Sequence, residues 1–362
     1  MKNTKEKKKN LKIPKNRIIS TVSFFLILII LATTVYLLQG GCEKISNSNK
    51  TIKKTINSVY KNDLKVHFID VGQGDAIIIH LPNDEYFMID SGPISSESKL
   101  FSYIDNVLLI DKIDYVLATH PDSDHIGAMA DLFNRYEIGY VFRPYVYFDL
   151  SGKNYNFPEN FNVGAAETLI DSSDVYFNFL KAIVNENCGW EFFDNSSDLT
   201  INIKLNNSQN AVCSLDFLTS LQDYKVDNIN NVSPILTLSF LNKIFMFTGD
   251  IDSDFEQQFL TSFESAKLPD VDVLKVSHHG SDSSTTEEFL KAIRCEYAVI
   301  SCGLDNIYKH PHLATLENIL NNNTILFRTD LHGNIVMTVE GDDNLKISTD
   351  CNVLADLIYQ AP

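Results

Sequence analysis

Four ionisable side chains fall within the six residues HPDSDH: His120, Asp122, Asp124 and His125. Imidazole nitrogen and carboxylate oxygen are ligands for Zn²⁺, Mn²⁺ or Fe²⁺, and no thiolate stands in this stretch. Alternate positions of a tight loop can direct His120 and Asp122 to one ion, leaving Asp124 and His125 to face a second. Asp250, closing the run KIFMFTGD, is placed to bridge both ions, and His278 and His279 close a further such run, VDVLKVSHH. Two ions roughly 3.5–4 Å apart clamp an in-line displacement, which favours hydrolysis, most naturally of phosphate esters. Taken singly, a histidine at a strand end is more often a hydrogen-bonded core residue. An aspartate before glycine is more often a turn residue or helix cap. The ordered recurrence of such ends favours the metal centre.

The elements that must position these groups are short apolar runs. LKVHFIDV, DAIIIHL, YFMIDSG and DYVLATH read as strands, rich in β-branched and aromatic residues and broken by GQG and PND turns. Asp90, His120, Asp250, His278 and His279 each close such a run and are followed at once or nearly so by Gly, Pro or Ser. Strand ends along one sheet edge are where layered α/β proteins build sites on a rigid scaffold. SKLFSYIDNVLLI, HIGAMADLFNRY, SSDVYFNFLKAIVNEN, DSDFEQQFLTSF, TTEEFLKAI and TLENILNN read as helices. LTINIKL, SLDFLTS, PILTLSFLN, YAVISCG, TILFRTD and GNIVMTVE add strands. Strands dominate early and late with helices interposed, which predicts two sheets covered by helices in a layered α/β/β/α sandwich.

The sequence has 362 residues, 44% hydrophobic and 11% aromatic, ample for a packed core. Its first 17 residues hold eight basic side chains and one acidic, and removing that +7 from the overall −17 leaves −24 for the rest. An acidic folded part repels polyanions unless metals or local patches intervene. Residues 18–38 carry no charge and, at 1.5 Å per residue, span about 30 Å, the thickness of a bilayer core. With a basic tail over 1–17 staying cytoplasmic, 18–38 reads as a single-pass transmembrane anchor. Residues 39–63 then form a polar linker, and the domain 64–362 lies outside the cell membrane. The apolar run exceeds a signal-peptide core and lacks a clear small-x-small cleavage site. Six cysteines show no CxxC spacing and read mostly as buried free thiols.

Together FIDVGQGDAIII, FMIDSG, ATHPDSDHIGA, FTGDI, LKVSHHGS, ISCG..N.YKHPH and RTDLHGNI resemble the metallo-β-lactamase superfamily. Within it they resemble the hydrolase (nuclease) domain of ComEC-type DNA-uptake competence proteins. They appear in that family's order from Leu64 to about Val339. The resemblance implies a four-layer αββα fold, two divalent ions, Zn or Mn, and DNA as substrate. It assigns His120 and Asp122 to the first metal, Asp124 and His125 to the second, Asp250 to the bridge, and one of His278 and His279 to completing a site. Asp122 stands where the superfamily usually has a second histidine, a harder environment that shifts the ion toward Mn²⁺ without excluding zinc. A further histidine, expected before the strand leading to GD, is missing, and Asn231 or Ser233 stands there.

Asp90 matches a position that orients the site, and Asp75, in DVGQGD, stands between structure and support of it. His310 and His312 would line the substrate cleft, with His310 protonating a leaving oxygen beside the catalytic Asp124. Arg328 and His332 are weaker phosphate-contact candidates. Competence proteins of this type cross the membrane many times, whereas this sequence has a single candidate span, so it does not form a DNA channel alone. Two other readings stand beside a membrane-anchored phosphodiesterase. One is a hydrolase of a smaller cell-surface phosphoester, of phosphocholine or teichoic acid type. The other is a non-catalytic metal-binding module.

Overall fold

The computed structural model describes residues 63–144, 146, 175–193, 198–204, 210–219, 228–263 and 268–361. The basic tail, the apolar run 18–38 and the linker up to residue 62 lie outside the described residues, as does Cys42. Among the described residues, no helix is long and apolar enough to cross a membrane.

Six strands come first: β1 (Leu64–Phe68), β2 (Ile77–His80), β3 (Tyr86–Ile89), β4 (Lys112–Leu117), β5 (Glu137–Arg143) and β6 (Gly189–Phe192). The next seven are β7 (Asp198–Lys204), β8 (Asn210–Phe217), β9 (Leu236–Phe240), β10 (Lys243–Phe247), β11 (Val273–Lys275), β12 (Tyr297–Ile300) and β13 (Ile325–Arg328). The chain then returns through β14 (Ile335–Val339) and β15 (Leu345–Thr349). One sheet has eight strands in the order β15-β14-β1-β2-β3-β4-β5-β6, and the other has seven in the order β13-β12-β11-β10-β9-β8-β7.

Side chains alternate across each strand, so each sheet has two apolar faces to cover. Phe68, Phe87, Leu117, Leu238, Phe245 and Val273 fill the space between the sheets. The outer face of the first sheet, with Val116 and Val141, packs under α1 (Glu97–Tyr103), α2 (Ser123–Ile126), α3 (Met129–Arg135) and α4 (Val175–Glu186). The outer face of the second, with Leu274 and Ala298, packs under α5 (Ser253–Ser262), α6 (Glu287–Ile293) and α7 (Leu313–Asn321). The result is a mixed α/β sandwich of two sheets between helices.

Two expectations need correction. HIGAMADLFNRY is not one helix but parts of two, broken at Gly127 and Ala128. VDVLKVSHH is not a strand to its end. β11 stops at Lys275, and His278 and His279 sit in a 3₁₀ turn with left-handed φ of 48° and 53°. Their side chains are therefore not related by strand alternation. All five described cysteines, Cys188, Cys213, Cys295, Cys302 and Cys351, are free thiols.

β3 and β4 are parallel neighbours in the first sheet, and β10 and β11 in the second. The chain leaves these four ends into Asp90, His120, Asp250 and the His278–His279 turn. This parallel pairing collects the polar residues at one edge of the sandwich.

Candidate metal centre

Three imidazoles meet here, His120, His125 and His279, each with a partner at Nδ1. His125 Nδ1 lies 2.8 Å from Asp90 Oδ2, so its proton sits on that side. His279 Nδ1 lies 2.9 Å from the Ser301 carbonyl, which only accepts, so its proton too faces away from the centre. Thr119 Oγ1 gives its one proton to Asp90 Oδ2 at 2.6 Å and can only accept from His120 Nδ1 at 3.1 Å. His120 Nε2 is then an unprotonated, buried acceptor without a partner. The Nε2 atoms of His125 and His279 stand 3.1 Å apart, and Asp250 Oδ2 lies 3.2 and 3.4 Å from them. Asp250 Oδ1 is buried and also lacks a partner.

Lone pairs facing one another at this range repel unless a proton or a metal ion stands among them. Asp75, His125, Asp250 and His279 offer ligand atoms all within 4.8 Å of one another, and all four residues are buried. The donor set of nitrogen and oxygen fits a divalent transition ion. Electrostatics agree. Burial pulls His125 and His279 down, but Asp250, with Asp90 beside the first and Asp124 and Asp75 beside the second, outweighs it. His125 ends well above the usual histidine range and His279 is pushed up to about 9. Burial lifts Asp250, yet His125 and His279 hold it well below the usual carboxylate range. His120 goes the other way, down to about 3, through burial and the neighbouring His125. With no ion bound, His125 and His279 therefore hold a second proton on Nε2, in the place an ion would take, while His120 stays neutral.

Around this group the remaining loop residues take graded positions. Asp124 Oδ2 lies 3.4 Å from His279 Nε2; burial lifts its carboxyl, but His279 and His125 bring it down to about 2. Asp122 Oδ2 lies 3.8 Å from His120 Nε2, on the more exposed side. His278 Nε2 lies 3.9 Å from Asp250 Oδ2, against 3.4 Å for His279 Nε2, and His278 is the less buried of the pair. Asp90 is consumed in positioning: it accepts from Thr119 N at 2.9 Å, Thr119 Oγ1 and His125 Nδ1.

Asn231 and Ser233 part company. Asn231 pairs with Asp252, accepting from its N–H and donating to its carboxylate, and so secures the start of α5. Ser233 Oγ lies 3.3 Å from His120 Nδ1 and accepts from Asp250 N at 3.3 Å. A Cβ on Gly249, whose φ is +51°, would sit 2.7 Å from Ser233, so the glycine allows this approach.

The DVGQGD loop closes against the HPDSDH loop. Gly74 has φ of +140°, and a Cβ there would lie 2.2 Å from the Asp124 carbonyl, which accepts from Asp75 N at 3.2 Å. Asp75 Oδ2 meets Lys275 Nζ at 2.7 Å, and both side chains are almost wholly buried. Asp75 Oδ1 faces His279 Nδ1 at 3.4 Å. Lys275, Thr119 and the Ser301 carbonyl were not among the residues singled out from sequence. Lys275 had a visible signal, a lone charge inside the apolar strand VDVLKV. Thr119 and Ser301 had none.

His310 lies beside the centre, its ring centroid 5.6 Å from that of His278 and 6.4 Å from that of His279. Burial and the neighbouring His279 push it down to about 4, so it is neutral at pH 7. His312 caps the backbone, accepting from Asp282 N at 3.0 Å, with its Nε2 3.1 Å from the Tyr308 carbonyl. Arg328 and His332 do not serve as phosphate contacts. Arg328 is buried, paired with Asp330 at 2.7 Å and bonded to the carbonyls of Ile358 and Gln360. His332 is also buried, against the Arg328 backbone.

A family model described as the metallo-beta-lactamase superfamily matches residues 69–184. Over that stretch the chain matches the metallo-beta-lactamase superfamily, and over a longer one it is similar to ComEC-type competence proteins. It is 27% identical over 288 residues to ComE operon protein 3 of Bacillus subtilis (strain 168), covering 75% of this chain and 32% of that protein. It is 24% identical over 276 residues to competence protein ComA of Neisseria gonorrhoeae, covering 76% of this chain and 32% of that protein. The chain thus spans about a third of the length of these relatives. Among solved structures, CmlA beta-hydroxylase (E377D mutant) aligns over 76% of this chain and 53% of its own, with a TM-score of 0.42 and 13% identity.

Proposed function

We propose that the chain is a divalent-metal-dependent phosphodiesterase, anchored in the cell membrane by residues 18–38 with residues 64–362 on the outer side. The observation that supports the metal reading is the convergence of the His125 and His279 Nε2 atoms on the Asp250 carboxylate inside a buried pocket, with Asp75 alongside and the His120 Nε2 atom buried without a hydrogen-bond partner. His120, His125, His279, Asp250, Asp124 and Asp122 would hold the ions, with His278 at the rim. Bound ions supply Lewis acidity toward a phosphoryl oxygen and make water a stronger acid.

The protein groups have their own tasks. Asp90 and the Ser301 carbonyl fix the tautomers of His125 and His279, as outer partners of metal-binding histidines do. Gln73 Nε2, 3.5 Å from His310 Nδ1, favours the tautomer with the His310 proton on Nε2. A neutral His310 can then donate a hydrogen bond from Nε2 to a phosphoryl or leaving oxygen, whereas full protonation of that oxygen would need the imidazolium that its burial disfavours. DNA as substrate rests on the similarity to competence proteins. The acidity of the chain favours a second reading, in which the substrate is a smaller phosphoester of the cell surface.

The test is hydrolysis by the purified full chain, with Mn²⁺ or Zn²⁺, of DNA and of a small chromogenic phosphodiester. Metal-dependent cleavage of both supports the nuclease. Cleavage of the small ester without DNA nicking transfers the proposal to the smaller substrate. Binding of metal with no cleavage of any phosphoester leaves a non-catalytic module.

A further inference from the structure

Beside the centre runs a loop that holds apolar side chains in water and is braced to keep them there. Asn306 Nδ2 donates to the carbonyls of Gly303 and His310 at 2.8 and 2.6 Å, and its Oδ1 accepts from His310 N at 2.9 Å. Gln73, from the DVGQGD loop, accepts from Gly303 N at 3.3 Å. On this frame Leu304, Ile307 and Tyr308 are 69%, 87% and 56% exposed. Single exposed apolar residues need no explanation, but a braced group of them at the mouth of a site does.

The rings form a row leading outward. His279, whose Nε2 faces Asp250, stacks at 6.4 Å and 30° with His310, and His310 stacks at 5.6 Å and 25° with Tyr308. These separations fall in the usual range for paired rings. Tyr308 is therefore paired with His310, two rings out from His279, and still presents more than half of its surface to solvent.

We propose that the open face of Tyr308, with Ile307 beside it, is a stacking subsite for an unpaired nucleobase adjoining the scissile phosphodiester. This rests on the phosphodiesterase reading and names the part of the substrate that the chain grips. Charge sets the manner of grip: residues 18–362 carry −24 once the +7 of the first 17 is removed from −17, so phosphate contacts alone bind a strand poorly and a contact to the base must make up for them. Stacking on an aromatic face is indifferent to that charge and tolerates any base. A base held in a duplex has no free face to offer.

The test uses the full chain with Zn²⁺ and a cleavage-resistant phosphorothioate single strand carrying 2-aminopurine, whose fluorescence falls on stacking. Quenching is expected with the wild type and with Tyr308→Phe, whereas Tyr308→Ala should weaken binding by about tenfold or more. An abasic strand of equal length should compete poorly. Equal quenching by Tyr308→Ala and wild type, or equal competition by the abasic strand, overturns the subsite. Hydrolysis separates this from the broader reading. If the wild type cuts abasic and base-bearing strands equally well, the subsite fails while the phosphodiesterase stands. If it cuts no strand, the phosphodiesterase fails while the quenching still decides the subsite.

Discussion

Lys275 gives the sharpest test of how the centre is held together. Its side chain is buried, and its Nζ has two partners: Asp75 Oδ2 at 2.7 Å and the Val276 carbonyl at 2.9 Å. Lys275→Met keeps most of the stem and removes the charge. Asp75 is then left buried with His279 Nδ1 at 3.4 Å and His125 Nδ1 at 4.0 Å, whose protons already go to Ser301 and Asp90. Breaking a buried pair from one side costs about 3–5 kcal/mol, because the surviving charge has neither water nor partner. A domain of ordinary stability holds roughly 5–15 kcal/mol, so this is a large share, and melting should fall by about 6–20 °C. The assay is urea unfolding of the metal-free full chain, followed by circular dichroism. Adding Asp75→Asn to Lys275→Met should restore at least half of the loss, since no charge is then stranded. A single variant within about 1 kcal/mol of wild type, or a double variant showing no coupling, would refute the reasoning.

Three further outcomes follow from the same geometry. Asp90→Asn keeps the shape but cannot accept from Thr119 N on one side and from Thr119 Oγ1 and His125 Nδ1 on the other, so metal affinity should drop by about 10–100-fold in a competition titration; unchanged affinity would deny Asp90 its positioning role. Asp124→Ala should abolish hydrolysis while leaving the circular dichroism spectrum intact, and full retained activity would exclude the two-ion mechanism. Glu256, buried in α5, accepts from Thr285 N, Thr286 N and Thr286 Oγ1, yet burial still pushes its carboxyl up to about 7. A raised acid binds its proton more tightly folded than unfolded. Stability should therefore fall as pH rises from about 4.5 through 7, by on the order of 2–3 kcal/mol, and then level off. Glu256→Gln should remove that slope from urea midpoints measured across the range, and a persisting slope would place its source elsewhere.

Much of the fold is legible in sequence because both faces of each sheet are buried. IIIH, YFMI, LTLSF and KIFMF are near-continuous apolar runs, and each is a strand where it reads as one. The strand ends carry the polar residues because apolar periodicity stops there. Sequence reading failed where backbone conformation overrides pattern. The apolar run VDVLKV predicts that its strand continues through the histidines, but left-handed φ at His278 and His279 turns the chain first. The same reading could not rank Asn231 against Ser233, since only the fold shows the first turned toward Asp252 and the second toward His120. Arg328 and His332 looked available for phosphate because a buried guanidinium paired two residues away, with Asp330, is invisible to spacing. Lys275 was visible all along as a charge in a buried strand, but its partner lies 200 positions earlier, in the DVGQGD loop.

The central claim is that the converging Nε2 atoms and carboxylates hold divalent ions. Native mass spectrometry of the full chain, titrated with Mn²⁺ or Zn²⁺ after chelation, measures this directly. Two ions per chain are expected, with loss of at least one on substituting Asp250→Asn. Occupancy below one ion per chain, or the same occupancy with and without the Asp250 carboxylate, would contradict the account.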